Sequence, residues 1–453
     1  MPTQAEEPVY ADIGLMAPAV VLPPEGTDMR KWSVIACDQY TSEPAYWKRV
    51  ADLVGDNPSM LHLTYPEVYL PQKRDEEIIA GILQNMEEYK KNNVFIPQTP
   101  GFVLVDRKTP AADSRLGLVV ALDLELYSFA KGSQSLIRPT EKTIESRLPP
   151  RIAIRKDASY ESPHILVLID DPDKTVIEPL AEAEKKGAMR KLYDFDLMED
   201  SGHLTGHHVA DRKDMDQVAE ALRQLGSKER FREKYGAGPD QDPILFAVGD
   251  GNHSLATAKR CWELVKAKGA GDDHPARFAL VELNNVHDPG LSFHPIHRLI
   301  EGVDPGDMMD KLKAFFEAQG SKVSFEEGAR HEETEAVGGG EHAHKFEFVS
   351  KGTQGVFTIT NPKMVLAAAT VDSWLNGYVE ANEKAALDYV HEEYTIKAKC
   401  SEESTTVGLL LPTINKNDLL KTVVKEGTLP RKTFSMGHAP EKRFYCECRA
   451  ILP

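Results

Sequence analysis

Cysteine is scarce, with five in 453 residues. Cys37, Cys261, Cys400, Cys446 and Cys448 are odd in number and contain no CxxC pair, so the chain points to neither a disulfide framework nor a cysteine zinc site. A reducing cytoplasm fits that usage. Positive charge is the second deficit: 54 Lys and Arg stand against 71 Asp and Glu, a formal net charge of −17. Binding to duplex DNA or RNA draws most of its affinity from neutralising phosphates with Lys and Arg, so a nucleic-acid partner is not expected. Any anionic ligand must be met by a few local cations. Long apolar runs are missing as well. None approaches the roughly 18 residues that span a bilayer, and the start MPTQAEEPVYADIG lacks the basic residues and apolar run of a signal peptide. No internal repeat is visible.

What remains is an ordinary globular composition, 41% hydrophobic and 28% charged, in a chain too long for one core of roughly 250–300 residues. Residues 19–24 and 32–37 read as short strands, and Thr41-Ser42-Glu43-Pro44 opens a helix through Val54. A second helix is expected from Asp75 to Asn92, with Ile78, Ile79, Ile82, Leu83 and Met86 on one stripe. Strands follow over 101–106, 116–123 and 165–170. A charged amphipathic helix is expected from Asp211 to Tyr235, then a strand over 243–248, a Gly-rich turn, a helix from Leu255 to Lys266, and a strand over 278–283. Glu332 to Lys345, with three consecutive glycines, reads as a mobile loop and the best internal boundary. Beyond it come a helix from Val371 to Ala386, a strand over 407–411, and a last turn and strand from Leu429 to Ile451. Cys446 and Cys448 alternate within this strand and face the core together. The expected class is α/β (α+β), mixed sheets with flanking helices, in three lobes: residues 1–125, 126–330 and 331–453.

The turn Gly249-Asp250-Gly251-Asn252-His253-Ser254 is the main candidate site. Its glycines reach backbone conformations closed to other residues, and the helix that follows offers unpaired N–H groups and the positive end of its dipole. Such a terminus favours an anion. Ser254 can cap the helix or touch phosphate, Asn252 and His253 can donate hydrogen bonds, and Asp250 can hold a divalent metal or orient His253. The plainer alternative is a turn with a capping serine and a surface histidine. Arg138, Arg147, Arg151 and Arg155, with Glu141, form the densest arginine group, suited to phosphate or carboxylate or equally to a salt-bridge network with Glu141, Glu145 and Asp157. His294, His297 and Arg298 follow a strand expected beside that of Asp250. Metal binding by the two histidines is less favoured than packing, for want of a third ligand. His203, His207 and His208 read as an exposed loop, and Lys432 as a phosphate ligand or part of a solvated loop.

Taken in order, Ala36-Cys37-Asp38-Gln39-Tyr40 with Glu43, Arg138 and Glu141 with Arg147, Gly249 to Ser254, His297-Arg298, and Pro430-Arg431-Lys432-Thr433 resemble the bacterial domain-of-unknown-function 1015 family. Its members carry an Asp-Gly-His-His-Arg turn and a late Pro-x-Lys-Ser/Thr motif. The turn is also similar to the nucleotide-binding turn of the ParB and sulfiredoxin superfamily, which includes free-serine kinases. That resemblance implies a ParB/sulfiredoxin-like core with added lobes, and a phosphate held by Gly249, Asp250, Gly251, Asn252, His253 and Ser254. It also implies an acid such as Asp38 or Glu43 as base, with Glu141, His297 and Arg298 toward the substrate. Here Asn252 and Ser254 replace the first His and the Arg, so one phosphate charge lacks its usual partner; Arg138, Arg147 and Lys432 are the available substitutes. The expected function is phosphoryl transfer from a nucleotide or pyrophosphate to a small hydroxylated acceptor, L-serine first, with Mg²⁺ bridging the donor to Asp250. If Asp38 or Glu43 is not the base, His253 or His297 is next. The alternatives are a non-catalytic nucleotide-binding switch of ParB type and a phosphoesterase.

Overall fold

The computed structural model describes residues 6–72, 75–162, 164–330, 342–430 and 432–452. The chain divides into two compact units, Met1–Leu291 with Gly437–Pro453, and Ser292–Met436. The division falls at 291/292 and 436/437, not at 125/126 and 330/331. The second unit is therefore an insertion within the first. Residues 332–341 of the expected mobile loop lie outside the described residues, and its end, Ala343 to Lys345, instead opens a strand.

The first unit is built on a mixed sheet. Its strands are β1 (Phe102–Lys108), β2 (Leu116–Asp123), β3 (Ile137–Pro139), β4 (Leu166–Ile169), β5 (Arg190–Asp196), β6 (His203–Val209), β7 (Phe246–Asp250) and β8 (Phe278–Asn285). They run in the order β5-β6-β1-β2-β8-β4-β7-β3, and the short strands Val9–Tyr10 and Leu15–Met16 complete a ten-stranded sheet. β4 is parallel to β8, and β7 is parallel to β3. β4 and β7 are antiparallel. Alternate residues serve opposite faces, as strand geometry requires. Phe102, Leu104, Leu118, Val120 and Leu122 pack with Trp262 and Leu222 on one face, whereas Val103, Val105 and Val119 pack with Trp32, Trp47, Tyr445 and Cys448 on the other. Both faces are covered, which is why the strands read as continuous apolar runs.

Helix α1 (Pro44–Val54), the helix Asp75–Lys91, helix α2 (Leu148–Arg155) and helix α3 (Asn252–Ala267) supply part of that cover. The helix expected over 211–235 is two, Arg212–Leu225 and Lys228–Tyr235; Gly226 ends the first and the Ser227 side chain caps the second by accepting from Arg230 N. The helix expected over 371–386 spans Ala367–Glu380, and Ala386 instead begins a strand. The stretch from Leu429 to Ile451 is not one turn and strand: it holds the short strands Phe434–Met436, Phe444–Tyr445 and Arg449–Ala450 and a 3-10 turn, Ala439–Glu441. No helix among the described residues is long and apolar enough to cross a membrane.

The last segment of the first unit pairs with its beginning, Phe444 opposite Ile35 and Tyr445 opposite Val34. A buried ionic network fixes it. Arg443 donates to Glu282 of β8 and to Glu447, the latter at 2.7 Å, and Tyr193 of β5 donates to Glu447. Gly117 of β2 makes room for Glu282, since a Cβ there would stand 2.4 Å from its Oε1. Arg107 donates to the carbonyl of Pro440 at 2.8 Å and Arg115 to that of Glu441 at 2.9 Å.

In the second unit β9 (His297–Glu301), β10 (Lys322–Glu327), β11 (Ala343–Ser350), β12 (Thr353–Thr360), β13 (Ala386–Val390) and β14 (Thr406–Leu410) form a six-stranded sheet in the order β10-β12-β11-β14-β9-β13. Its entry and exit are zipped together, Phe293 opposite Met436 and Pro295 opposite Phe434 in antiparallel register.

The network around Arg443 gives a direct stability test. Replacing Arg443 with Met leaves Glu282 and Glu447 buried without their shared cation. Breaking a buried pair from one side costs about 3–5 kcal/mol, so urea unfolding of Arg443→Met should show a loss of that size. Lys48→Ala removes an exposed pair with Asp52 and should shift the midpoint little.

Candidate active site

Strand register assembles the site from distant parts of the chain. Leu166, the first residue of β4, pairs with Asp250, the last of β7. Residues just before β4 therefore lie beside the turn that follows β7. Gly251 caps α3 with φ +78°, and a Cβ there would meet the Ile165 Cα at 3.0 Å, so both conformation and space call for glycine. The 35/444 pairing sets Cys37 and Asp38 beside Lys442, helped by the hydrogen bond from Ala36 N to Arg443 O at 3.0 Å.

Six side chains meet as a result: Asp38, His164, Asp250, Ser254, Lys442 and Tyr445. The Lys442 ammonium lies 3.0 Å from Asp250 Oδ2, bridging 192 residues of sequence, and Asp250 Oδ1 accepts from Gly251 N at 2.9 Å. His164 Nε2 is 3.2 Å from Ser254 Oγ and 3.7 Å from Asp38 Oδ2. On its other side His164 Nδ1 is 2.7 Å from the Tyr445 hydroxyl, which accepts from Cys37 N at 3.3 Å. Asp38 also accepts from Gln39 Nε2 at 3.0 Å. Burial alone would raise the Asp38 carboxyl, but His164, Gln39 and Lys442 outweigh it and hold the group below its ordinary value. Glu67 shows the opposite balance: burial raises it even though Arg151, its ion-pair partner, pulls it down. Burial lifts the Cys37 thiol to about 12 and the Tyr445 phenol well above its usual range, so both keep their protons.

The expected residues are distributed unevenly around this cluster. Asp38, Asp250 and Ser254 belong to it, and Asn252 is buried, its Oδ1 without a partner among the described residues. His253 Nε2 accepts from Ile144 N at 3.2 Å, which ties the turn to the segment holding Glu141 and Arg147. Arg147 is exposed one residue before α2, close enough to Glu67 to act on its titration. Arg138 departs from the expected ligand role. Its guanidinium donates to the carbonyls of Ser135 at 2.7 Å, Asp242 at 2.7 Å and Pro243 at 3.3 Å, a clamp on the approach to β7. Glu43 is exposed at the start of α1, its charge acting on Tyr40 and Tyr46.

Lys432, His297 and Arg298 lie in the second unit. Arg298 is fully buried there, donating to both oxygens of Asp372 at 2.9 and 2.7 Å and to the carbonyl of Lys432 at 2.9 Å. His297 Nδ1 accepts from Leu411 N at 3.0 Å. Both hold that unit's own strands, so their expected substrate role gives way to a structural one. Sequence reasoning missed His164, Tyr445 and Lys442. His164 stands directly before the strand expected over 165–170, and Lys442-Arg443 is a basic pair directly before the strand Phe444–Tyr445, signals visible only once strand ends are read as site positions.

The titration of Asp38 is testable. Its folded-state pKa lies below the unfolded value of about 3.9, so its ionisation favours the folded chain above that pH, and the contribution fades as pH falls through the folded-state midpoint. Carboxyl-carbon NMR should place the midpoint below about 3.9 and move it upward in Lys442→Met, which removes one of the lowering charges.

The family model described as "Protein of unknown function (DUF1015)" matches residues 19–396. No curated protein matches the chain. Among solved structures, a conserved hypothetical protein from Pyrococcus furiosus aligns at 14% identity and TM-score 0.34, covering 74% of this chain and 95% of that one. SbnI with a C-terminal truncation, from Staphylococcus aureus, aligns at 10% identity and TM-score 0.34, covering 70% and 83%. A free serine kinase in complex with AMP aligns at 12% identity and TM-score 0.36, covering 76% and 95%. Matched by the family model over most of its length, the chain belongs to the DUF1015 family.

Proposed function

We propose that the first turn of α3 receives the phosphate end of a nucleotide or pyrophosphate, and that the protein transfers a phosphoryl group from it to a small hydroxylated acceptor, L-serine first. The observation that carries this is Lys442. In a chain of net charge −17, an ammonium held 3.0 Å from Asp250 at a helix N-terminus supplies the local cation that an anionic donor needs. It takes the place of the arginine that Ser254 replaces in the family turn. The Asn252 carbonyl oxygen, buried and unpartnered among the described residues, is an acceptor for a ligand N–H or O–H.

Asp38 is the base of this scheme. A hydroxyl is a weak nucleophile at neutral pH, and a carboxylate ionised by its surroundings can take its proton as the new bond forms. Asp250 does not fit the role of Mg²⁺ ligand in this arrangement. One of its oxygens accepts from Gly251 N and the other faces the Lys442 ammonium, so the lysine already provides the positive charge there.

The test is to incubate the protein and Mg²⁺ with L-serine and, separately, ATP, ADP, CTP and pyrophosphate, and to look for phosphoserine by mass spectrometry. Binding without product in every case would favour the switch, and orthophosphate release alone the phosphoesterase. Two variants divide the roles. Lys442→Met should weaken donor binding by about 10- to 100-fold in calorimetry, the value of a charge-assisted hydrogen bond. Asp38→Asn should lose turnover by at least about a hundredfold with donor affinity little changed; near-normal turnover would move the base elsewhere.

A further inference from the structure

Ser254 is the residue at which the turn departs from the family pattern, and the structure gives it surroundings that a plain capping serine does not need. It is the third residue of α3, half-buried. Its backbone N–H is already bonded to Gly251 O at 2.9 Å, and α3 has no side-chain cap. Its hydroxyl is 3.2 Å from His164 Nε2. His164 is held in turn, with Nδ1 at 2.7 Å from the Tyr445 hydroxyl and the two rings edge to face at 5.5 Å. A nucleophile within reach of a base, and the base oriented by a third group, is the arrangement that marks activated hydroxyls. Asp38 Oδ2, 3.7 Å from the same Nε2, faces the charge that appears when the imidazole takes a proton.

We infer that Ser254 is a covalent nucleophile that carries the phosphoryl group as a phosphoserine between donor and acceptor; this rests on the proposal that a phosphoanhydride donor docks at the first turn of α3. In the first step Ser254 Oγ attacks the terminal phosphorus. The Oγ–P bond forms as the donor's P–O anhydride bond breaks, the shortened nucleotide or orthophosphate leaves with the bridging oxygen, and the Ser254 proton passes to His164 Nε2. In the second step the acceptor hydroxyl attacks the same phosphorus and gives its proton to Asp38. The Ser254 Oγ–P bond breaks, and His164 returns the proton to Ser254 Oγ. Lys442, 3.0 Å from Asp250 in the same turn, is the cation for the charge that builds up on the transferred oxygens. Tyr445 acts through His164 and is a positioning residue.

The full chain, with Mg²⁺ and separately ATP, ADP, CTP or pyrophosphate but no acceptor, is quenched and digested, and the peptide containing Ser254 is examined for added phosphoryl mass. At least one donor should place phosphate on Ser254, and a chase with L-serine or water should remove it. The mark should vanish in Ser254→Ala and form at least about a hundredfold more slowly in His164→Asn. Tyr445→Phe should slow its formation and change the pH profile of the step, which loss of packing alone would not do. Thermal melts check that each variant is folded. Absence of phosphate on Ser254 with every donor overturns the inference, as does Ser254→Ala transferring phosphate to an acceptor at the wild-type rate; in that last case direct transfer stands and the proposed function survives. No donor binding by either protein overturns both.

Discussion

The ion pair that Arg443 makes with Glu282 and Glu447 organises the first unit. These groups lie in the interior, at 4%, 2% and 1% exposure, where an isolated charge is strongly unfavourable and a paired one must be hydrogen-bonded on all sides. The bonds of Arg443 to Glu282 and Glu447, and of Tyr193 to Glu447, meet that demand. They tie the closing segment to β8 in the middle of the sheet and to β5 at its edge. Pairs of this kind add little net stability compared with apolar packing, but they tolerate few alternative arrangements. The segment that follows Gly437 is thereby fixed in register against residues 34 and 35.

That register has chemical content. Lys442 and Tyr445 flank Arg443 and Phe444, and each points its polar end at a different member of the turn cluster, one at Asp250 and the other at His164. Arg107 and Arg115 hold the carbonyls just before Lys442. The cation is therefore placed by backbone clamps and not by its own flexible stem. A lysine on a loose loop would lose rotamer freedom on meeting an anion; one already confined loses less. Charges held in place by the fold are the ones most effective toward a developing negative charge.

Much of this was legible from the residues. The helices at 44–54 and 75–91 and the strands at 102–108, 116–123, 166–169 and 278–285 carry strong periodicity or uninterrupted apolar runs, and the turn at Asp250 announces itself through its glycines. Asp38 was singled out because it lies between a strand end and a helix start. His164 and Lys442 escaped because nothing local marks them; their meeting with Asp38 and Asp250 is a product of strand pairing between residues far apart in sequence. Arg138, Arg298 and His297 were misplaced for a related reason. A guanidinium or imidazole reads the same whether its partners are a ligand's oxygens or the chain's own carbonyls and amides, and only the fold tells these apart. The boundaries between units were hidden because the second unit is an insertion, entered and left at points with no shift in composition.

The zipped ends of the second unit bear on how such a protein can change over evolutionary time. Phe293 and Met436 face each other across an antiparallel ladder, so the chain departs and comes back within one strand spacing, about 5 Å. Between those points a module can be lengthened, trimmed or exchanged for an unrelated one while the ladder keeps its ends together, and the host sheet need not readjust. The chemistry proposed for the first unit and the sequence of the inserted unit are thus free to diversify at separate rates, the second replaceable as one cassette.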